Sequence, residues 1–383
     1  MTSFLNRRRV LAAGAAAIGG TALGGSLVDS AGATAAPRAK AADVPEETRT
    51  LDELYQAALA DGGNLVVYAG GDTPTQQDAT KAAFRARFPD IKLTLVVDYS
   101  KFHNVRVDNQ FATQTLVPDV MQLQTLQDFP RWKGQGRLLQ YKPAGFSQVY
   151  DKFKDADGSW TAISIVAFSF LYDVAAAGTG APKTPQDLVG TQWKGQIASS
   201  YPHDDDAVLY LFKLYAETYG WDWIAQLAAQ DIQFGRGTHT PGVAVNTKQK
   251  IIGLGAAGTL TAPSTAATKW VAADGHPFMG WGQRAAILKD AKNPTAAKLY
   301  LNWQISAARQ QAAAWNGWSV RTDVTPPGGL APIWQYPDAH VDGFPRFMAD
   351  RAEIERWKQT FALYFGEVKG DPSPGWLGLH PGA

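Results

Sequence analysis

NLVVYAGGDTPTQQDATKAAFRARFPDIKLTLVVDYS, residues 64–100, is the stretch on which the fold turns. Asn64–Ala69 is a short apolar run closed by Gly70-Gly71, a buried strand running into a loop. Gln76–Phe88 then spaces Ala79, Ala83, Phe84 and Phe88 near helical intervals. Pro89-Asp90 breaks that helix, Ile91–Val97 is a second strand, and Asp98-Tyr99-Ser100 leads out of it. A helix around Asn104–Thr113 and a third strand at Asp119–Gln124 continue the rhythm. Strand–helix–strand units of this length predict a parallel sheet with helices on both faces.

The same rhythm restarts with a strand at Gly195–Ser200, a helix at Ala207–Tyr219 and a strand at Asp231–Phe234. Between the two sets, Thr161–Tyr172 (TAISIVAFSFLY) is an unbroken run of β-branched and aromatic residues, long enough to pass between lobes. The predicted fold is α/β: two doubly wound α/β lobes joined by extended crossovers, with a ligand cleft between them at the carboxyl ends of the strands. The predicted organisation is an export signal over 1–35 and a linker over 36–49. The first lobe takes 50–165 and 279–330, the second takes 166–278, and 331–383 is a C-terminal helical segment and tail.

The export signal rests on Arg7-Arg8-Arg9, the mild Ala/Gly-rich stretch Val10–Val28 and the small residues Ala33-Thr34-Ala35. Val10–Val28 is too weakly apolar for a membrane span, which needs about 20 strongly apolar residues. The arginines followed by Val10-Leu11 resemble the twin-arginine type, which implies the twin-arginine export machinery as a partner. Removing residues 1–35 takes away three arginines and Asp29, a net of +2, so the charge of +1 becomes −1. A near-neutral mature chain argues against nucleic acid as a partner. With no cysteine, thiolate metal sites, a cysteine nucleophile and a lipidated N-terminal cysteine are excluded. The mature protein is expected in the periplasm or outside the cell, as a monomer without a lipid anchor.

Several segments, in order, resemble a known family: NLVVYAG (64–70), PDVMQLQT (118–125), LLQYKPAG (138–145), FKDADGSWTAI (153–163), TPQDLVGTQWKGQIA (184–198) and ILKDAKNPTAAKLYLNWQIS (287–306). Together they resemble the type 2 periplasmic solute-binding proteins of ABC importers, in the branch of the ferric-ion-binding proteins. The resemblance implies a small-molecule solute held between the lobes, an inner-membrane ABC permease as partner, no catalysis and no cofactor. Iron-binding members carry adjacent tyrosines near the return crossover, whereas GLGAAGTLTAPSTAA (253–267) has none. An anionic or phosphorylated organic solute is therefore expected ahead of ferric iron or an iron chelate. Within the resembling segments, Asn293 is expected to cap a helix begun by Pro294, with Ala297, Tyr300, Leu301 and Trp303 on its buried stripe. Trp193 is expected to pack under a strand.

Carried over position by position, the resemblance makes Gly71, Asp72, Thr73, Tyr99 and Gln124 the ligand-binding candidates of the first lobe. Those of the second are Ser200, Tyr201, His203, Asp205, Arg236, Thr238 and His239. Arg236 is a candidate bidentate clamp on an anion. Asp204–Asp206 reads either as capping for the helix after it or as a contact to a cation, and its spacing matches no metal motif. His103 and Arg106, one helical turn apart, read as a solvated face. Gly253–Gly258 fits G-x-G-x-x-G, but TLTAPST follows it where a dinucleotide site needs a helix, so a tight turn by the hinge is expected. A competing secreted hydrolase would join Ser200, His203 and an aspartate in space. A secreted interaction protein would instead expose a large apolar patch and lack a cleft.

Overall fold

The computed structural model describes residues 44–313 and 317–371. The predicted export signal, the first part of the linker and the end of the C-terminal tail lie outside the described residues. The first lobe opens with α1 (Leu51–Ala60), started by a reciprocal cap. The Thr50 hydroxyl accepts from the Glu53 N–H at 3.2 Å, and the Glu53 carboxylate accepts from the Thr50 N–H at 2.7 Å. Then come β1 (Asn64–Gly70), α2 (Asp78–Arg87), β2 (Lys92–Asp98), α3 (Ser100–Thr113), β3 (Val120–Leu123) and α4 (Asp128–Gly134). β4 (Thr161–Asp173) leads to α5 (Val174–Ala177), β5 (Ile197–Ser200), α6 (Asp206–Tyr219) and α7 (Trp221–Ala228). β6 (Gln233–Gly235), α8 (Thr240–Asn246), β7 (Ile252–Ala257) and β8 (Thr268–Val271) complete the second lobe's sheet, and β9 (Met279–Ile287) returns. α9 (Pro294–Ile305), α10 (Ala307–Ala313), α11 (Gly343–Ala349) and α12 (Arg351–Phe365) follow.

Among the described residues the strands run β2-β1-β3-β9-β4-β7-β5-β6, with β8 also on β4. The parallel sheet read from the sequence holds for β1 with β2 and β3, and for β5 with β6 and β7. It fails at the crossovers, because a strand that passes from one lobe into the other meets its neighbours head to tail. β9 is antiparallel to β3 and β4, and β4 is antiparallel to β7 and β8. β4 belongs to both lobes: Thr161–Phe168 pairs with β9, and Phe168–Asp173 with β7 and β8.

Each lobe has its own core. In the first, Phe84 of α2 meets Phe88, Tyr300 and Trp303 at ring separations of 5.0, 5.5 and 5.2 Å. Burying rings of this size stabilises by about 1.5–3 kcal/mol each. Ala297, Tyr300, Leu301 and Trp303 of α9 all face this core, as their spacing implied. In the second lobe α6 is buried along most of its length and packs with Trp281, Phe344, Phe347 and Phe361. The C-terminal helices α11 and α12 thus cover this lobe. Trp193, in the turn before β5, is buried there too.

Four local expectations need correction. Glu46–Arg49, read as the end of a linker, are docked on the first lobe. The Glu46 carboxylate accepts from the N–H groups of Gly145 and Ser147, and Glu47 accepts from the Tyr141 hydroxyl. Asn293 sits at the N-cap of α9, but its amide donates to Asp119 at 3.0 Å and caps nothing. Gly253 and Gly255 lie within β7, not in a tight turn. Gly255, at φ +72°, is an extra residue between the pairs Ser169–Ala256 and Phe170–Leu254, a bulge that glycine accommodates. His103 and Arg106 form no solvated face: His103 is fully buried, its ring stacked on Tyr68 at 4.7 Å. Arg106 donates to His103 Nδ1 at 2.9 Å and to the buried Asp98 carboxylate at 2.8 Å, which leaves Nε2–H of His103 for the Val96 carbonyl. Burial, helped by the Arg106 charge, pushes His103 down to about 3, so the ring is neutral. This network stiffens the exit of β2 beneath Tyr99.

Candidate functional site

The loops after the parallel strands of both lobes meet around a cavity of about 580 Å³. Gly70, Gly71, Asp72, Gln76 and Gln77 come from the β1 exit, Tyr99, Ser100 and Lys101 from β2, and Gln122, Gln124 and Thr125 from β3. The second lobe answers with Asp204–Asp206, Gly237, Thr238, Phe168 and Trp281. Ser164 and Gln283 on the crossover strands, with Gln304 and Arg309 beside them, close the hinge side. Carboxyl ends of strands in a doubly wound sheet are where ligands bind.

The lobes touch directly at the edge of this cavity. Asp72 of the first lobe accepts from the Thr238 N–H at 2.6 Å and from its hydroxyl. Lys101 Nζ donates to the Asp204 carbonyl at 2.7 Å and to its carboxylate at 2.8 Å. Arg236 grips the same carboxylate through Nε at 2.9 Å and Nη2 at 3.1 Å. Arg236, the expected anion clamp, has its fork engaged by Asp204 and is not among the described residues that line the cavity.

The acidic run is divided among structural tasks. Asp204, held below the usual carboxylate range by Arg236 and Lys101 against the cost of burial, bridges the lobes. Asp205 caps α6, accepting from Ala207 N–H at 2.9 Å and Val208 N–H at 3.0 Å. Asp206 pairs with Arg351 and Lys358, each at 2.9 Å. Among the described residues no three His, Asp or Glu side chains gather into a metal-holding group. Burial first, and the Asp72 charge from the facing lobe second, push the Asp205 carboxyl up to about 6. The folded protein then holds a proton that the unfolded chain releases above about pH 4. Stability from this group therefore falls as pH rises from about 4 to 6 and stays low above that. Asp205→Asn, which keeps an oxygen for the cap, should flatten the decline of melting temperature across that window. An unchanged slope would assign the pH dependence elsewhere.

A buried amide–phenol–amide chain frames the hinge side. The Tyr300 hydroxyl donates to Gln122 Oε1 at 2.8 Å and accepts from Gln304 Nε2 at 2.7 Å. Both glutamines line the cavity, so a Gln122 amide donor and the Gln304 carbonyl remain for whatever fills it.

Of the candidate residues, Gly71, Asp72, Tyr99, Gln124, Asp205 and Thr238 are brought together on the cavity wall. The others lie behind it or apart from it. The Thr73 carbonyl accepts from Gln76 N–H within the β1 loop. Ser200 is buried, its hydroxyl donating to the Gly237 carbonyl at 2.8 Å. Tyr201 stacks on Phe234 at 4.9 Å with His203 edge-on to it. Ser200 and His203 share no hydrogen bond, so they do not form the nucleophile–base pair a hydrolase needs. His239 lines a separate hollow of about 200 Å³ beside α8. Sequence reading missed Gln76, Gln77, Gln122, Gln283, Gln304, Lys101 and Arg309. Glutamine carries no motif, and the two cations sit in ordinary helical surroundings, so only the register of β3 could have pointed inward, to Gln122.

Residues 109–274 match the sequence profile of a family described as bacterial extracellular solute-binding protein. No curated protein sequence gives a significant match. Among solved structures the chain is similar to iron-bound HitA from Pseudomonas aeruginosa, with 17% identity, TM-score 0.61, and coverage of 78% of this chain and 99% of that one. It is similar to the substrate-binding protein of an ABC transporter from Agrobacterium tumefaciens, with 15% identity, TM-score 0.64, and coverage of 80% and 95%. It is likewise similar to the periplasmic binding protein AfuA from Actinobacillus pleuropneumoniae with fructose-6-phosphate bound, with 19% identity, TM-score 0.63, and coverage of 80% and 100%. These likenesses establish the two-lobed fold. No helix among the described residues is long and apolar enough to cross a membrane.

Proposed function

We propose that this chain, whose residues 109–274 match the bacterial extracellular solute-binding profile, is a solute-binding protein of the ABC-importer class and that its solute is a small organic anion, carboxylated or phosphorylated. Capture is by hinge closure about β4 and β9, and the closed form delivers the solute to an inner-membrane ABC permease. The protein reaches its place of work through the twin-arginine machinery and acts there as a monomer.

The observation that carries this reading is the cavity itself. At about 580 Å³ it falls within the roughly 300–1,000 Å³ of organic-ligand sites, far more than a bare ion fills. Its wall is rich in glutamine amides, which serve hydroxyls and oxyanions alike. Tyr99 is the one tyrosine among the described lining residues, a poor match to ferric capture by adjacent phenolates. Of the similar proteins, AfuA was solved with a sugar phosphate and HitA with iron; the organic occupant suits this wall better. Native mass spectrometry of the protein purified from its own compartment should show a small organic mass retained without a covalent bond. A retained iron atom would replace this reading with the metal one.

A further inference from the structure

Two cations line the cavity among the described residues, and they differ in state. Lys101 is spent on Asp204. Among the described residues Arg309 has no carboxylate within ion-pair range, and its Nε is enclosed with no hydrogen-bond partner there. The guanidinium is held in place rather than loose: it lies over the Trp303 ring at 4.6 Å, and its backbone N–H donates to Ser306 Oγ at 3.3 Å. A partly desolvated guanidinium without a counter-charge is costly, and a planar donor fork matches carboxylate or phosphate geometry. The cavity's carboxylates cannot supply the charge, because each is engaged across the lobes, at the α6 cap or with α12. Beside Arg309 the Tyr300 chain presents an amide donor from Gln122 and a carbonyl from Gln304. A hydroxyl, which both accepts and donates, satisfies that pair.

We propose that Arg309 anchors the anionic group of the solute while Gln122 and Gln304 read a neighbouring hydroxyl, so that the ligand class is a hydroxylated organic anion such as a sugar phosphate or sugar acid. This rests on the solute-binding reading above. It also places specificity on the hinge side of the first lobe, away from Arg236 and the acidic run.

Calorimetric titration of the full exported chain tests it with matched pairs: fructose 6-phosphate against fructose, and glucuronate against glucose. At least one anion should bind more tightly than its neutral partner, and which one separates phosphate from carboxylate. Arg309→Gln should weaken that anion by about ten- to a hundredfold, the loss of charge-assisted bonds. Arg309→Lys, keeping charge but not the fork, should fall between. The unliganded melting temperatures of both variants report folding independently of binding. Wild-type affinity in a folded Arg309→Gln protein overturns the proposal, as does failure of both anions to outbind their neutral partners. A neutral sugar bound alone overturns the anion anchor while leaving the solute-binding reading in place.

Discussion

Asp119→Ala is expected to lower the free energy of unfolding by about 3–5 kcal/mol. Asp119 is fully buried at the entrance of β3. One carboxylate oxygen accepts from Val66 N–H on β1 at 2.8 Å and from the Asn293 amide at 3.0 Å. The other accepts from Asn293 N–H at 2.9 Å, where α9 begins. The side chain therefore ties two strands to the helix that covers them. Alanine would leave three partly buried donors unpaired, and each orphan costs up to about 1–3 kcal/mol. Asp119→Asn, which retains one carbonyl acceptor, should lose less. Denaturant unfolding measures both; a loss below about 1 kcal/mol for the alanine variant would mean that the donors find other partners.

Asp72→Ala is expected to weaken solute binding by about ten- to a hundredfold while leaving each lobe's core intact. The two Thr238 donors that meet Asp72 exist as a pair only when the lobes touch. Removing their acceptor penalises the closed state alone and shifts the population towards open. Part of the loss is offset, because Asp72 also repels Asp205 across the cleft. Thr238→Val should behave similarly, and the double variant should lose little more than either single one. Additive losses would show that Asp72 acts on the solute and not on Thr238.

What could be read from the chain follows what neighbours in sequence determine. Strands, helices and the long crossover were legible because apolar spacing sets them: Asn64–Gly70 and Thr161–Asp173 appear where their patterns put them. The antiparallel return of β9 was not, since its direction depends on a second passage between the lobes. Of the expected site residues, those adjacent to strand ends, Asp72, Tyr99 and Gln124 among them, lie on the cavity wall. That Arg236 is paired instead with Asp204 could not be read, because its partner lies 32 positions away in the chain. Arg309 was invisible because what sets it apart is the lack of a carboxylate partner among the described residues, which only the fold reveals. The capping reading of the acidic run survives at Asp205, where two backbone N–H groups define it.

Hinge capture of a solute is tested most directly by small-angle scattering of the wild-type protein, first stripped by mild unfolding and refolding and then reloaded with the molecule it retains. The account predicts a smaller radius of gyration on reloading, and a smaller change in Asp72→Ala at the same solute concentration. Superimposable wild-type curves with and without bound solute would contradict closure about β4 and β9 as the means of capture.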